Sequence, residues 1–109
     1  MNKELLKGTL NLIILLAISK KPMYGYEISN MIKSISNSDL IIKDSSLYTV
    51  LLRLENLNYL ETFYSKDSNN KRKYYKITNS GLEFLRLNLI DFEIINSTLN
   101  KLMEASNYE

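Results

Sequence analysis

The sequence predicts an α+β fold, mostly α, with three helices, a β-hairpin and one long C-terminal helix. Apolar residues recur with the i, i+3, i+4, i+7 spacing of an amphipathic helix in Ile28, Met31, Ile32 and Ile35. Two runs rich in β-forming residues, YLETFY and RKYYKI, flank the polar stretch SKDSNNK and predict the hairpin. Apolar spacings of three and four then alternate through residues 79–105, which is typical of a long helix that packs along a seam.

The first helix is predicted from Glu4 to Ser19, where the run is apolar on most faces. The stretch KKPMYGYE breaks it, since Pro22 lacks an amide donor and Gly25 tolerates unusual dihedral angles. The second helix has the period given above, and a polar loop at residues 36–39 follows it.

The third helix is predicted to begin at KDSS, whose side chains can cap helix amides, and to end at Asn58 in a left-handed cap. One side of this helix is apolar: Leu47, Val50, Leu51, Leu54 and Leu57. The last helix starts either at Thr78 or at the capping-box pair Ser80 and Glu83.

The last helix is longer than a small domain needs for its own core, so we expect its seam to pack against a second copy of the chain. The seam runs from Leu82 through Leu85, Leu89, Phe92, Asn96, Leu99 and Met103. Asn96 is interpreted as a polar contact that sets the register of the homodimer. Phe92 is either interface core or part of a ligand cavity between the subunits.

Composition narrows the chemistry available to the chain. Its 109 residues include neither cysteine nor histidine, which excludes disulfides and the common metal sites. The usual catalytic nucleophile and base are missing too, so we expect neither an enzyme nor a cofactor. The longest apolar run, Leu12 to Ile18, is too short for a membrane span of about 20 residues. Without cysteines or a recognisable secretory leader, one cytoplasmic domain is expected.

Positive charge is concentrated in the hairpin. Five of the fourteen lysines and arginines lie between Lys66 and Lys76, with Asp67 the only acid among them. Three helices followed by such a hairpin is the order of a winged helix-turn-helix, whose third helix enters the major groove of DNA while the hairpin touches the backbone. Taken alone, the charge run fits a solvated turn better; with the three helices, it favours phosphate contacts.

The candidate DNA-binding residues follow from this order. They are Ser45, Ser46, Tyr48, Thr49 and Arg53 on the third helix, and Lys71, Arg72, Lys73 and Tyr74 on the hairpin. Arg53 is the best candidate for a bidentate contact to guanine or for a phosphate clamp. The alternatives are that Ser45 and Ser46 only cap the helix, that Arg53 pairs with a carboxylate, and that Tyr48 packs against the hairpin.

Four motifs, in order and at matching spacing, resemble the PadR-like transcriptional regulators. LLKGTLNLIILLAI resembles the first helix of that family, PMYGYEI its P-x-Y-G-Y-E signature, SSLYTVLLRLENLNYL its G-T-L-Y-P-x-L-x-R-L-E-x-x-G-L-I stretch, and NKRKYYKITNSG its wing signature. The resemblance implies that Tyr24 lies beside the DNA-facing surface. It also implies a recognition helix containing Ser46, Tyr48 and Arg53, and a wing containing Arg72, Lys73 and Tyr74.

The single C-terminal helix resembles the compact branch of the family, whose members dimerise through the first and last helices. This implies that Leu5 and Leu6 join the interface. Some members bind flat cationic drugs between subunits beside a tryptophan, at whose place this chain has Phe92. A flat aromatic effector beside Phe92, Asp91 and Asn96 is therefore implied.

Together these observations predict a ligand-responsive repressor that binds a pseudo-palindromic double-stranded DNA operator as a homodimer. Residues 1–78 are expected to form the winged helix-turn-helix DNA-binding domain and residues 79–109 the C-terminal dimerisation helix, as one structural unit. Two alternatives stay open: an adaptor that holds another protein, and an architectural DNA binder with little sequence preference.

Overall fold

The computed structural model describes residues 1–66 and 71–107, and within them it shows an α+β fold that is mostly α, as predicted. The elements are α1 (Lys3–Ile18), β1 (Met23–Tyr24), α2 (Gly25–Ile35), α3 (Asp44–Asn56), β2 (Leu60–Tyr64), β3 (Lys73–Ile77) and α4 (Asn79–Ala105). None of the described helices combines the length and the apolar character needed to cross a membrane.

The three strands form one antiparallel sheet in the order β1-β3-β2. The hairpin of β2 and β3 was predicted, but β1 was not. Its two residues pair with the middle of β3, Met23 opposite Tyr75 and Tyr24 opposite Tyr74. Two residues are too few to show the alternation typical of a strand. The predicted hairpin turn includes residues 67–70, which lie outside the described part of the chain.

A single apolar core lies between the sheet and the helices. Its fully buried side chains are Ile14, Leu15, Ile18, Ile28, Leu47, Leu51 and Leu54. Burying each of them stabilises the fold by about 1.5 to 3 kcal/mol. Three residues of the predicted apolar faces are exposed: Met31 by 38%, Ile35 by 72% and Leu57 by 52%. Ile35 ends α2 and Leu57 follows α3, so both lie beyond the edge of the core.

The beginning of α3 differs from the prediction. Its N-cap residue is Lys43, and no side chain caps the helix. The expectation that Ser45 and Ser46 cap it is therefore wrong, because the helix begins earlier, at Asp44, and both serines fall inside the first turn. The Asp44 carboxylate instead favours this end through its charge, since a helix N-terminus is electropositive.

The end of α3 confirms the predicted left-handed cap. Asn58 has a φ of 64°, and its amide donates to the Glu55 carbonyl at 2.9 Å. The Tyr59 amide donates to the Leu54 carbonyl, also at 2.9 Å. This pair of hydrogen bonds is a Schellman motif, and it turns the chain directly from α3 into β2.

The Asn58 carbonyl also joins α3 to α4. It accepts hydrogen bonds from the hydroxyls of Thr78, at 2.7 Å, and Ser80, at 2.9 Å. Thr78 is the N-cap of α4, because its hydroxyl oxygen accepts from the Gly81 amide at 3.0 Å. Of the two predicted starts, the structure therefore has the one at Thr78, and Glu83 takes no part in the cap.

The helix α4 starts in the core and then leaves it. Leu85 is only 5% exposed, so it belongs to the protomer's own core and has almost no surface left for the predicted dimer seam. Phe84 stacks on Tyr59 with the ring centroids 4.3 Å apart. From Ile90 to Asn107 every side chain except Ser97 is exposed. The second half of α4 therefore projects from the domain.

Replacing Thr78 by alanine should destabilise the protein by about 1 to 2 kcal/mol, because the Gly81 amide loses its cap and the Asn58 carbonyl loses one donor. Thr78→Ser keeps the hydroxyl and should cost much less. Urea unfolding followed by circular dichroism, at one protein concentration, measures both. Equal losses for the two variants would contradict the role given to the hydroxyl.

Candidate nucleic-acid interface

One face of α3 is open to solvent. Leu47, Val50, Leu51 and Leu54 hold the opposite face in the core. The five predicted contact residues on α3 are all exposed: Ser45, Ser46, Tyr48, Thr49 and Arg53. The Thr49 hydroxyl donates to the Ser45 carbonyl at 2.7 Å. The side-chain hydroxyls of Ser45 and Ser46 make no hydrogen bond within the described residues, so both can meet an external partner.

Arg53 connects α3 to α1. Its Nη2 donates to the side-chain oxygen of Asn11 at 2.6 Å, rather than to a carboxylate as the alternative interpretation expected. A neutral partner leaves the guanidinium charge uncompensated, and the remaining N–H groups of the fork point to no acceptor among the described residues. Asn11 was not predicted, because 42 residues separate it from Arg53 and nothing in the local pattern indicates the pair.

Tyr48 packs against the start of α2. Its hydroxyl lies directly over Gly25, where an added Cβ would collide with it. The glycine at this position therefore has a packing reason: it lets α3 approach the first turn of α2. Tyr48 is still half exposed, so one side of its ring faces the same solvent as Ser45 and Thr49.

We call residues 60–77 the wing. In the wing, Arg72 lies over the ring of Tyr24, 4.6 Å from the centroid. Tyr24 meets Tyr74 edge to face at 5.5 Å, and Tyr74 stacks on Phe63 at 5.4 Å. Cation–π contacts of this kind hold a guanidinium in place without neutralising its charge. Arg72 is thus exposed and charged, and its side chain is held in place by the ring of Tyr24. The neighbouring Lys71 is exposed as well.

A second set of contacts joins the wing to α3. The Lys73 ammonium donates to Glu55 Oε1 at 3.4 Å, and the Thr62 hydroxyl donates to Glu55 Oε2 at 3.2 Å. One carboxylate on α3 therefore holds both strands of the hairpin. The Lys73 side chain is 38% exposed, its ammonium also lies 5.5 Å from the centroid of the Tyr75 ring, and the described residues offer it no second hydrogen-bond acceptor. Glu55 was not predicted as part of the site.

The electrostatics of this contact keep Lys73 charged. Partial burial lowers the pKa of Lys73, but electrostatic interactions with Tyr75 and Glu55 and the hydrogen bond to Glu55 outweigh it, so the net pKa rises above the ordinary 10.5. Burial raises the pKa of Tyr75 above 10.0. The site therefore presents an ammonium ion and a neutral phenol throughout the neutral pH range.

The predicted ligand residues lie apart from this surface, on the projecting half of α4. Asp91, Phe92 and Asn96 are exposed within one protomer. Among the described residues there is also no group of carboxylates that could hold a metal ion.

Comparison with known proteins gives one consistent result. The model of the transcriptional regulator PadR-like family matches residues 14–87. A protein from Lysinibacillus sphaericus is 36% identical over 103 residues, which is 94% of each chain.

Solved structures agree with this match. A transcriptional regulator from Clostridium thermocellum is similar with a TM-score of 0.85 and 29% identity, over 93% of this chain and 96% of that one. A PadR-like transcriptional regulator from Bacillus cereus has a TM-score of 0.81 and 33% identity, over 93% and 97%. A PadR family regulator from Clostridium difficile has a TM-score of 0.76 and 31% identity, over 88% and 99%.

Proposed function

Because the chain belongs to the PadR-like family of transcriptional regulators, we propose that it binds duplex DNA as a homodimer, with α3 in the major groove and the wing on the adjacent backbone. The observation that carries this proposal is the contact between the two elements, in which Glu55 of α3 holds Lys73 and Thr62 of the wing. An exposed helix and a cationic hairpin that are already joined lose little conformational entropy when they dock.

Within this surface the residues divide by chemistry. Arg53 keeps the N–H groups that it does not donate to Asn11, and these allow bidentate contacts to guanine or phosphate. The small side chains beside it allow α3 to approach the base edges closely. The wing supplies charge, through Lys71, Arg72 and Lys73, and the hydroxyl of Tyr74; the neighbouring β1 adds the hydroxyl of Tyr24. The wing contacts contribute affinity, and those of α3 contribute most of the sequence preference.

The dimer forms through α1 and α4. Leu5 is exposed on α1, with Leu6 half-buried beside it, and on α4 the seam leaves Phe92, Leu99 and Met103 in solvent. A soluble protomer rarely exposes so long an apolar surface unless a partner covers it. Because Leu85 is already buried, the seam that a partner can cover consists of Leu82, which is 43% exposed, and the stretch from Leu89 through Asn96.

Gly8 gives a second indication of the dimer. Inside a helix, glycine costs about 1 kcal/mol relative to alanine. A Cβ added at Gly8 would meet nothing within 4 Å in the described residues, so packing within the protomer does not require a glycine at this position. Close approach of a partner helix explains it.

In the dimer, the two copies of α3 enter successive major grooves about 34 Å apart, which suits a pseudo-palindromic operator. The protein acts as a repressor, and an effector between the subunits changes the separation of the two α3 helices. An effector can do this only if it binds the two separations with different affinity.

The DNA-binding proposal is tested by a salt titration of affinity for a labelled operator-length duplex. Each phosphate contact contributes about 0.9 to the slope of log K against log salt, so Arg72→Gln in both subunits should flatten the slope by about 2. Arg72→Lys keeps the charge and should keep the slope. Lys101→Gln, on α4, is the control for loss of a cation elsewhere.

Two outcomes would favour the other functions. If the wild-type protein does not bind duplex DNA even at low salt, the surface holds a protein, as an adaptor would. If it prefers its own upstream DNA to random duplex by much less than about 10³-fold, it is an architectural binder.

The dimer is tested by sedimentation at micromolar concentration. Leu99→Asp should raise the dissociation constant at least tenfold, because it places a charge in the seam. Lys101→Asp, roughly 200° around the helix from Leu99, should leave it unchanged. Gly8→Ala should weaken the dimer although it favours the helix. Wild-type sedimentation as a monomer would refute the assembly.

The effector proposal rests on the aromatic Phe92 and the acidic Asp91 at the middle of the seam. Titration with ethidium, a flat aromatic cation, in the absence of DNA should release heat and change the tyrosine fluorescence. Phe92→Ala should weaken this binding about tenfold or more. Absence of both signals for the wild-type protein would argue against an aromatic cation as the effector.

A further inference from the structure

A second group of cations lies on the other side of α3 from the wing. An open cleft of about 640 Å³ separates the first turns of α1 from α3 and the loop before it. Four cationic side chains line it, Lys3, Lys7, Lys43 and Arg53, against one carboxylate, Asp39. The three lysines are exposed, and in the described part of the chain none of them pairs with a carboxylate.

The position of this group follows from the geometry of α3. Arg53 touches α1 through Asn11, whereas Glu55 touches the wing through Lys73. The two residues are two positions apart, roughly 200° around the helix. The exposed face of α3 therefore has the wing along one side and the first turns of α1 along the other, and both sides carry unpaired cations.

The major groove of DNA presents negative charge in a matching arrangement, with phosphates along both of its edges. A helix inside the groove, which is about 12 Å wide, has a phosphate strand on each side. The wing accounts for one strand only. If α3 occupies the groove as proposed above, the cations of the cleft face the other strand.

From this arrangement we infer that Lys3, Lys7 and Lys43 form a second phosphate-binding surface, which contacts the DNA strand opposite the one contacted by the wing. The cleft also contains Ser45, Ser46 and Thr49 of α3. The surface is therefore continuous with the residues that face the bases, and the two cationic groups hold α3 in the groove from both sides. This inference rests on the proposed function, because it requires that α3 binds DNA.

The electrostatic part of DNA binding does not depend on sequence, so a labelled 30-base-pair duplex of arbitrary sequence is a sufficient probe. Lys7→Gln and Lys43→Gln, each in both subunits, should flatten the salt slope by about 2, as Arg72→Gln does. The triple variant Lys3→Gln, Lys7→Gln, Lys43→Gln should lose about tenfold or more in affinity at low salt. Lys7→Arg and Lys101→Gln should both keep the wild-type slope.

The outcomes separate the two proposals. Wild-type protein that fails to bind the duplex at low salt overturns the proposed function itself. Wild-type binding that Arg72→Gln weakens, with a wild-type slope retained by the lysine variants, overturns this inference alone. Lys43 lies in the loop before α3 and is not one of the residues assigned to the dimer interface, although Leu6 of that interface lines the same cleft. A flattened slope in Lys43→Gln, with unchanged sedimentation, therefore supports a phosphate contact independently of any effect on the dimer.

Discussion

The arrangement of the surface depends on one carboxylate. Glu55 leaves α3 toward the sheet and accepts hydrogen bonds from Thr62 on β2 and Lys73 on β3. Since the partners are half-buried, the contact is screened less than an ion pair in open solvent. The contact matters more for the orientation of the two elements than for the free energy of unfolding, because partly exposed pairs rarely contribute more than about 1 kcal/mol. It fixes the angle between helix and hairpin, and a surface that must match a duplex needs that angle fixed.

A second constraint acts at the beginning of α2. Tyr24 belongs at once to β1, through its pairing with Tyr74, and to the N-cap of α2, where its amide donates to the Glu27 carboxylate at 3.3 Å. The guanidinium of Arg72 lies over its ring. The next residue, Gly25, makes room for Tyr48. The elements β1, β3, α2 and α3 therefore meet at these two residues, so a change at Tyr24 or Gly25 affects the wing and α3 together.

Local physical chemistry predicted much of this structure. The helical period located α3, the left-handed Asn58 was predicted to end it, and Thr78 was one of the two starts predicted for α4. The contacts that define the surface were not predictable in this way, because Arg53 and Asn11 are 42 residues apart and Lys73 and Glu55 are 18 apart. The heptad pattern also placed Leu85 in the seam, because a repeat shows which residues share a stripe but not which of them the domain itself covers.

The projecting half of α4 has a mechanical consequence. A helix of 27 residues is about 40 Å long at 1.5 Å per residue, and its first turns are anchored by Gly81 and Leu85 in the core. In the proposed dimer, a small rotation of this helix displaces the domain attached to its first turns. A tilt of about 5° near its far end moves the domain at its base by roughly 3.5 Å, about one nucleotide step along a DNA strand. In the proposed dimer, a change in packing too small to alter the fold of either protomer would thus be enough to bring the paired domains in or out of step with the double helix.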